Sequence, residues 1–290
     1  MNDDIAASRQ RISRRRALAI GGSVGLGGLL AACGVGSTSS SSSANSATGS
    51  TVSPGSAAPS ATAVATNTDA IALLDEANTC TLTQEETQGP YWFNVDSIRS
   101  DIREGRPGTA LNLALRVQDM AKCAVGGAVA PVANSVVEIW HCDAGGAYSG
   151  FENGAGGGRP GGTSGGTSNG TYSKGDNEAA PTDDGTYLRG AQVADANGIV
   201  QFTTIYPGWY QGRATHIHLK VHIDRSSVLT SQLYFDEKIN SAVYATSPYS
   251  KRSGNRTTNS ADSLFNQSGL VSISQQPASY LAVINLSINR

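Results

Sequence analysis

The sequence predicts an all-β fold, an antiparallel β-sandwich or barrel core with long glycine-rich loops and few short helices. Short segments alternate polar and apolar residues, which is the pattern of strands with one buried face. Turn residues, including Asn197-Gly198 and Pro207-Gly208, separate these segments. Helical periodicity is scarce. Many short strands with glycine-rich connections are typical of sandwiches and barrels.

The elements follow in order along the chain. Residues 68–78 are the best candidate for a short helix. Alternating apolar positions then predict five strands, at residues 110–119, 135–142, 198–205, 215–223 and 279–288. The glycine-rich loop at residues 152–181 breaks this pattern. Loops of that length either serve a function or are tolerated surface insertions, and the sequence leaves both interpretations open.

Residues 1–33 have the layout of an export signal. The run SRRR at residues 13–16 precedes a weakly apolar, glycine-rich stretch, which predicts a signal peptide of the twin-arginine type. The run LAACG at residues 30–34 resembles a bacterial lipoprotein box, with Cys33 as the lipidated first residue of the mature chain. The alternatives are an ordinary export signal and a small-residue cleavage site with a chance cysteine.

Residues 34–68 contain no charged and no aromatic residue, and they predict a disordered Ser/Ala/Thr/Gly linker between the signal and a single domain at 69–290. We therefore expect an exported bacterial protein of the cell envelope or the extracellular space. After the N-terminal segment no apolar run is long enough to cross a bilayer, so membrane contact is expected only through the lipid anchor.

The formal net charge of −2 argues against a nucleic-acid-binding surface, which needs a basic patch. An oxidising compartment permits one disulfide among Cys80, Cys123 and Cys142. Cys123 and Cys142 flank a predicted hairpin at opposite ends, which favours Cys80–Cys123, although the sequence leaves all three pairings open. The sequence contains no CxxC motif, which argues against a zinc site formed by these cysteines. The oligomeric state also stays open, a homodimer included.

Three of the chain's four histidines lie in the stretch PGWYQGRATHIHLKVH, residues 207–222. His216 and His218 are two residues apart on a predicted strand, so they share a face with Cα atoms about 6.6 Å apart and could bind one metal ion. His222 lies about 13 Å along that strand from His218 and is not expected to reach the same ion. A zinc hydrolase using all three histidines is an alternative. Tyr210 lies nearby, and a phenolate suits ferric iron.

Several sequence blocks carry a family resemblance. The blocks VVEIWHCDAGGAYSGF, YLRGAQVADANGIVQFTTIYPGWY, RATHIH and LTSQLYF, in that order, resemble the intradiol ring-cleavage dioxygenases. The segment EETQGPYWF is similar to the Gly-Pro-Tyr segment that precedes the core of that family. The resemblance covers residues 80–234 and is strongest to the exported branch with a glycine-rich loop.

The resemblance implies a mononuclear non-haem Fe(III) site, with ligands Tyr148, Tyr210, His216 and His218. Of these ligands it implies that Tyr210 leaves the metal when substrate binds. It assigns Arg213 to catalysis, and Gln232 and Tyr91 to the substrate pocket. Tyr172 and Tyr187 are rivals of Tyr148, because they lie in the same interval of the sequence. Gly212 departs from related intracellular members, which place a tryptophan there, and Trp140 and His141 are interpreted as packing residues.

The activity that the resemblance implies is cleavage of a catecholic aromatic by O2 to a muconate-type diacid. The sequence leaves open which catechol is the substrate. An alternative from another class is a non-catalytic, envelope-tethered β-sandwich that binds a carbohydrate or a phenolic polymer.

Overall fold

Strands with one apolar face pair into sheets whose apolar faces meet, and this chain forms such a sandwich. A computed structural model describes residues 67–77, 80–95, 97–122, 130–152, 179–224 and 226–289. Within these residues two four-stranded sheets pack against each other, which confirms the predicted fold class. The strands are β1 Ala110–Asp119, β2 Val136–Trp140, β3 Arg189–Val193, β4 Ile199–Ile205, β5 His216–Ile223, β6 Ser226–Tyr234, β7 Ser272–Gln275 and β8 Ser279–Ile288.

The first sheet has the strand order β4-β1-β8-β7, and the second has the order β3-β2-β5-β6. Neighbouring strands are antiparallel except β1 and β8, which run parallel. That parallel pair departs from the predicted antiparallel core. It joins strands that are distant in the chain, and a parallel pair requires a long crossover connection. Here the crossover contains the whole second sheet.

The main core lies between the two sheets and is built from the inward residues of every long strand. Helix α1, Asn67–Glu76, covers the outer face of the first sheet with Ala70 and Leu74. Helix α2, Glu237–Tyr244, follows β6, and its first turn is capped by the Asp236 side chain. Short 3-10 helices lie at Met120–Lys122, Tyr249–Lys251, Asn259–Ala261 and Gln267–Gly269. A separate aromatic cluster covers the outer face of the second sheet.

The predicted bounds of β1 and β8 are confirmed, and β2, β4 and β5 begin one residue later than predicted. Helix α1 begins at Asn67, so the last two residues of the predicted linker belong to it. The alternation of polar and apolar residues did not predict β3, β6 or β7, and helix α2 was not predicted. Neither helix of the described ranges has the length and apolar character that a bilayer crossing requires.

Several sequence predictions concern residues outside the described ranges. These residues are the signal segment with Cys33, the linker up to residue 66, Cys123, and most of the loop at 152–181. Cys80 is disulfide-bonded and Cys142 is a buried free thiol. The pairing Cys80–Cys123 therefore stays a prediction.

Candidate metal centre

The histidine pair lies on β5, inside the second sheet. Side chains alternate along a strand, so Ile217 and Leu219 enter the core while His216 and His218 project from the opposite face. That polar face is not solvated, because both imidazoles are buried beneath the aromatic cluster. Burial on both faces is what distinguishes this strand from an ordinary half-exposed one.

The strand register brings distant residues beside the histidines. His218 is paired with Trp140 on β2 and with Gln232 on β6, and Arg189 on β3 is paired with Trp140. These four residues form one row across the sheet. The Trp140 ring stacks on the His218 imidazole with centroids 5.0 Å apart and planes 4° apart. Trp140 therefore fixes the plane of the imidazole as well as filling the strand end.

Both imidazoles are neutral, and a backbone hydrogen bond also fixes the His216 ring, whereas His218 Nδ1 has no hydrogen-bond partner among the described residues. The His216 Nδ1–H donates to the Ala214 carbonyl at 2.7 Å, which leaves the Nε2 lone pair free. The two Nε2 atoms, of His216 and His218, lie 3.0 Å apart. Burial, and next the charge of Arg213, lowers the pKa of His216 to about 3. Burial, and next the neighbouring His216, lowers the pKa of His218 well below its usual value.

Two tyrosines complete the cluster. The hydroxyl oxygens of Tyr148 and Tyr210 lie 3.4 Å and 3.1 Å from His216 Nε2. Burial raises the pKa of both phenols above the ordinary value, while the nearby charge of Arg213 lowers it. Tyr148 is buried, whereas Tyr210 is only half-buried. Without a cation between them, both phenols therefore keep their protons at neutral pH.

The loops that carry the two tyrosines are packed in direct contact. The Asp143 carboxylate accepts from the backbone N–H of Ala147 at 3.0 Å, which shapes the loop before Tyr148. The backbone N–H of Gly208, two residues before Tyr210, donates to the Asp143 carbonyl at 3.1 Å. A Cβ at position 208 would lie 2.2 Å from that carbonyl oxygen. Only glycine permits this approach, so Gly208 sets the distance between the two tyrosine loops.

The four donor atoms fit a single metal ion. First-row ions bind nitrogen and oxygen at about 2.0–2.2 Å, which places neighbouring ligand atoms about 3–3.5 Å apart at right or tetrahedral angles. The distances of 3.0, 3.1 and 3.4 Å from His216 Nε2 to the other three donors fall in this range. Two phenol oxygens and two imidazole nitrogens are a hard, mixed donor set that suits iron.

Residues 86–93 form a covering segment over the cluster. Gly89 adopts a left-handed conformation with φ +70, and a Cβ there would lie 3.2 Å from His218 Cε1. The Tyr91 ring lies 4.9 Å from the ring of Tyr148 and 4.9 Å from that of Phe151. The structure thus places Tyr91 beside the metal-ligand candidates.

Arg213 and Gln232 are joined beside the cluster. Arg213 Nη2 donates to Gln232 Oε1 at 2.6 Å, and Gln232 Nε2 donates to the Thr87 carbonyl at 2.9 Å. Arg213 Nε donates to the buried Asp262 carboxylate at 3.0 Å. Asp262 also accepts from the Ala214 N–H at 2.8 Å. These bonds fix the guanidinium of Arg213, which lies three residues before His216 in the chain.

Glu86 extends this network toward the surface. Its Oε2 accepts from the Tyr234 hydroxyl at 2.6 Å, and that hydroxyl lies 3.3 Å from Gln232 Oε1. Burial raises the pKa of Glu86 to about 7, although the Tyr234 hydrogen bond lowers it. A carboxyl group that titrates near neutral pH therefore stands behind Gln232.

Arg189 is a buried cation on the other side of Tyr148. Its guanidinium donates to the Ser149 hydroxyl at 2.8 Å and to the Ser149 carbonyl at 2.9 Å, and lies over the Phe93 ring. Burial lowers its pKa to about 9, so it stays charged at neutral pH. It fixes the backbone next to Tyr148.

Other sequence candidates lie elsewhere. His222 Nε2 is 3.4 Å from Glu138 Oε2, and Tyr187 donates to Glu152 at 2.5 Å. His141 is a satisfied structural histidine that contacts the Cys142 carbonyl and Thr204. In the described part of the chain no three His, Cys, Asp or Glu side chains group closely enough to bind a metal together. Tyr172 lies outside the described residues.

Four residues of the site were not predicted as such, namely Glu86, Arg189, Tyr234 and Asp262. Glu86, Arg189 and Tyr234 belong to sequence blocks that resemble the family, but nothing in their spacing distinguishes them. Asp262 lies 49 residues after Arg213 in a region with no periodic pattern. Only the folded chain brings it to the arginine.

Comparison with known proteins finds solved structures that are similar to this chain. The chain is similar to the solved structure of an intradiol ring-cleavage dioxygenase from Tetranychus urticae, with 32% identity over 72% of this chain and 95% of that chain, and a TM-score of 0.60. A second solved dioxygenase matches at 32% identity over the same shares, with a TM-score of 0.61. No family model and no curated protein matches the sequence. The chain belongs to the family of intradiol ring-cleavage dioxygenases.

We expect Gly208→Ala to separate the two tyrosine loops. The added Cβ overlaps the Asp143 carbonyl, so the variant should lose about 1–3 kcal/mol of unfolding free energy, measured by urea denaturation. Gly105→Ala is the matched control, since its Cβ would meet no atom within 4 Å although φ is +75. That control should cost only about 1 kcal/mol of backbone strain. Equal losses in the two variants would contradict the packed contact.

We expect Glu86→Gln to change how stability depends on pH. A raised carboxyl pKa stabilises the fold fully below the unfolded pKa, and this contribution is lost as the pH rises through about 7. Glutamine cannot ionise and still accepts the Tyr234 hydrogen bond. The variant should therefore exceed the wild type by roughly 1–2 kcal/mol at pH 8 and match it at pH 4, after discounting for partial exposure. Thermal unfolding at both pH values measures this.

Glu85→Gln, at the exposed neighbouring position, serves as the control for that measurement. It should leave the pH profile of the wild type unchanged. A Glu86→Gln profile parallel to the wild type would show that this carboxyl is not desolvated in the folded protein.

Proposed function

We propose that the protein is a non-haem Fe(III)-dependent dioxygenase that cleaves a catechol between its two hydroxyl-bearing carbons. The observation that carries the proposal is the meeting of two phenol oxygens and two imidazole nitrogens, with the other three donors 3.0–3.4 Å from His216 Nε2. Membership of the intradiol family supports the same activity. The ligands would be Tyr148, Tyr210, His216 and His218.

The reaction balances without a further reductant. One O2 adds to one catechol, the carbon–carbon bond between the hydroxyl-bearing carbons breaks, and each oxygen atom enters one of two new carboxyl groups. The ring is oxidised and O2 is reduced, giving a muconate-type diacid. When bound, ferric iron supplies Lewis acidity that draws electron density from the catechol oxygens.

The residues of the chain supply proton transfer and charge stabilisation. Tyr210 is the more accessible of the two tyrosines, and burial raises the pKa of its free phenol. A Tyr210 phenolate that is not bound to the metal would therefore be a strong acceptor for a catechol proton. Arg213, held permanently cationic, stabilises negative charge that develops on the substrate. Tyr91 and Trp140 fix the ring planes of Tyr148 and His218.

We further propose that the protein is exported and attached to the cell envelope through a lipid on Cys33. The proposal rests on the signal layout of residues 1–33 and on the linker that follows. Fractionation of cells that express the wild type and Cys33→Ser tests it. Release of the variant from the membrane fraction supports the anchor, and identical distributions would contradict it.

Tyr148→Phe tests the iron site directly. Ferric tyrosinate charge transfer should colour the wild-type protein red, with about one iron per chain. Removing the buried phenol oxygen should bleach or shift this band and lower kcat/KM for catechol by more than about 100-fold, as O2 uptake measures. Tyr187→Phe is the control, because its hydroxyl binds Glu152 away from the cluster. It should keep both colour and activity.

An unchanged band and rate in Tyr148→Phe would overturn the ligand set. A colourless protein that stays inactive after ferric reconstitution would instead support the envelope-tethered binding module.

A further inference from the structure

Arg213 is a cation beside the metal-ligand candidates, three residues after Tyr210 and three residues before His216 in the chain. Its Nη2 donates to Gln232 Oε1 at 2.6 Å, and Gln232 is the residue paired with His218 across the sheet. A substrate bound at the cluster must therefore lie close to this guanidinium. The negative counter-charge that is paired with Arg213 then helps determine which substrates bind at the site.

That counter-charge is already present in the protein. Asp262 Oδ2 accepts from Arg213 Nε at 3.0 Å, and the aspartate side chain is only 2% exposed. Its position is fixed by two backbone bonds, from the N–H groups of Ala214 at 2.8 Å and Leu264 at 2.9 Å. A buried, hydrogen-bonded ion pair of this kind neutralises much of the field that a guanidinium exerts on its surroundings.

A second carboxyl group stands on the same side. Glu86 binds the Tyr234 hydroxyl, which in turn lies 3.3 Å from the Gln232 oxygen that accepts from Arg213. Two carboxyl groups therefore flank one guanidinium. When both are ionised, the local charge is negative, which repels an additional anionic group on a ligand.

The other described cations near the cluster are engaged elsewhere. Arg189 donates to Ser149 and lies over the Phe93 ring. The Lys220 ammonium lies over the Trp92 ring, 3.7 Å from its centroid. Both cations are therefore held by contacts within the protein, although Arg189 Nη1 has no hydrogen-bond partner among the described residues.

We propose that Asp262 determines substrate charge in this site: by pairing with Arg213 it makes the protein select catechols that carry no carboxylate on the ring. The inference rests on the proposed function, because it concerns the ligand of the same centre. Asp262 acts through Arg213 and is therefore a specificity-determining residue and not a catalytic one. Discrimination by an opposing charge is a recognised route to specificity.

The first experiment uses two ligands of nearly the same shape. Anaerobic calorimetry on the full, iron-loaded protein at pH 8 measures the Kd of 3,4-dihydroxybenzoate and of the neutral 3,4-dihydroxybenzamide. We expect the wild type to bind the neutral amide at least about tenfold more tightly, since the two ligands differ mainly in charge. Equal affinities, or tighter binding of the carboxylate, would overturn the proposal without any variant.

The second experiment removes the opposing charge. Asp262→Asn removes the charge and keeps one oxygen, which can accept from the Leu264 N–H, while an amide NH2 replaces the oxygen that faces Arg213 and the Ala214 N–H. We expect the Kd ratio to shift about tenfold toward the carboxylate, with iron content and visible band retained. Asp195→Asn is the control, because Asp195 also accepts from backbone N–H groups of a turn and pairs with no arginine of the described ranges. It should leave the ratio unchanged.

If the role of Asp262 is purely structural, Asp262→Asn should weaken the binding of both ligands equally. An unchanged Kd ratio in a folded Asp262→Asn protein therefore overturns the proposal. Turnover is followed separately by O2 uptake with the same two compounds. Discrimination in binding without ring cleavage would contradict the proposed function while supporting the role of Asp262. Ring cleavage of both compounds without discrimination in binding would support the proposed function and contradict the role of Asp262.

Discussion

The structure depends on one unfavourable arrangement, the burial of four ionisable side chains around a common point. Burial is the main cause that raises the pKa of Tyr148 and Tyr210 and lowers that of His216 and His218, so all four are neutral in the unliganded protein. Neutral imidazoles already present free lone pairs, whereas the phenols must each release a proton to become anionic ligands. Occupation of the site by a cation is therefore coupled to proton release. The fold must hold these groups together until that occurs.

The β-sandwich meets this requirement by using both faces of one sheet. The inner face of β5 contributes Ile217 and Leu219 to the main core, which anchors the strand on which His216 and His218 stand. The covering segment and the tyrosine loops then exclude water from the outer face. Because the strand register is specified by the buried face, the positions of the ligating side chains are specified with it. The stability of the fold and the geometry of the site therefore both depend on the same hydrogen-bonded strand pairing.

The sequence was informative where local patterns or ordered blocks existed. Alternation predicted β1 and β8 with their observed bounds, and the histidine spacing placed His216 and His218 on one face. Alternation could not predict that this polar face is buried, since burial there comes from residues 86–93, far away in the chain. The short edge strands β3 and β7 contain too few apolar positions for a periodic signal. Asp262 was beyond reach because an ion pair between remote segments leaves no local pattern.

The two tyrosines occupy chemically similar but mechanically different positions. Tyr148 is buried between Tyr91 and His218, and its loop is fixed by the Arg189 guanidinium through Ser149. Tyr210 is half-buried and lies two residues after the tight contact at Gly208, at the end of a turn that leads into β5. The Tyr148 ring contacts the rings of Tyr91, Tyr210 and His218, whereas the Tyr210 ring contacts those of Tyr148 and His216 and is partly exposed. The proposed roles, a fixed ligand for Tyr148 and an exchangeable ligand for Tyr210, agree with this asymmetry in packing.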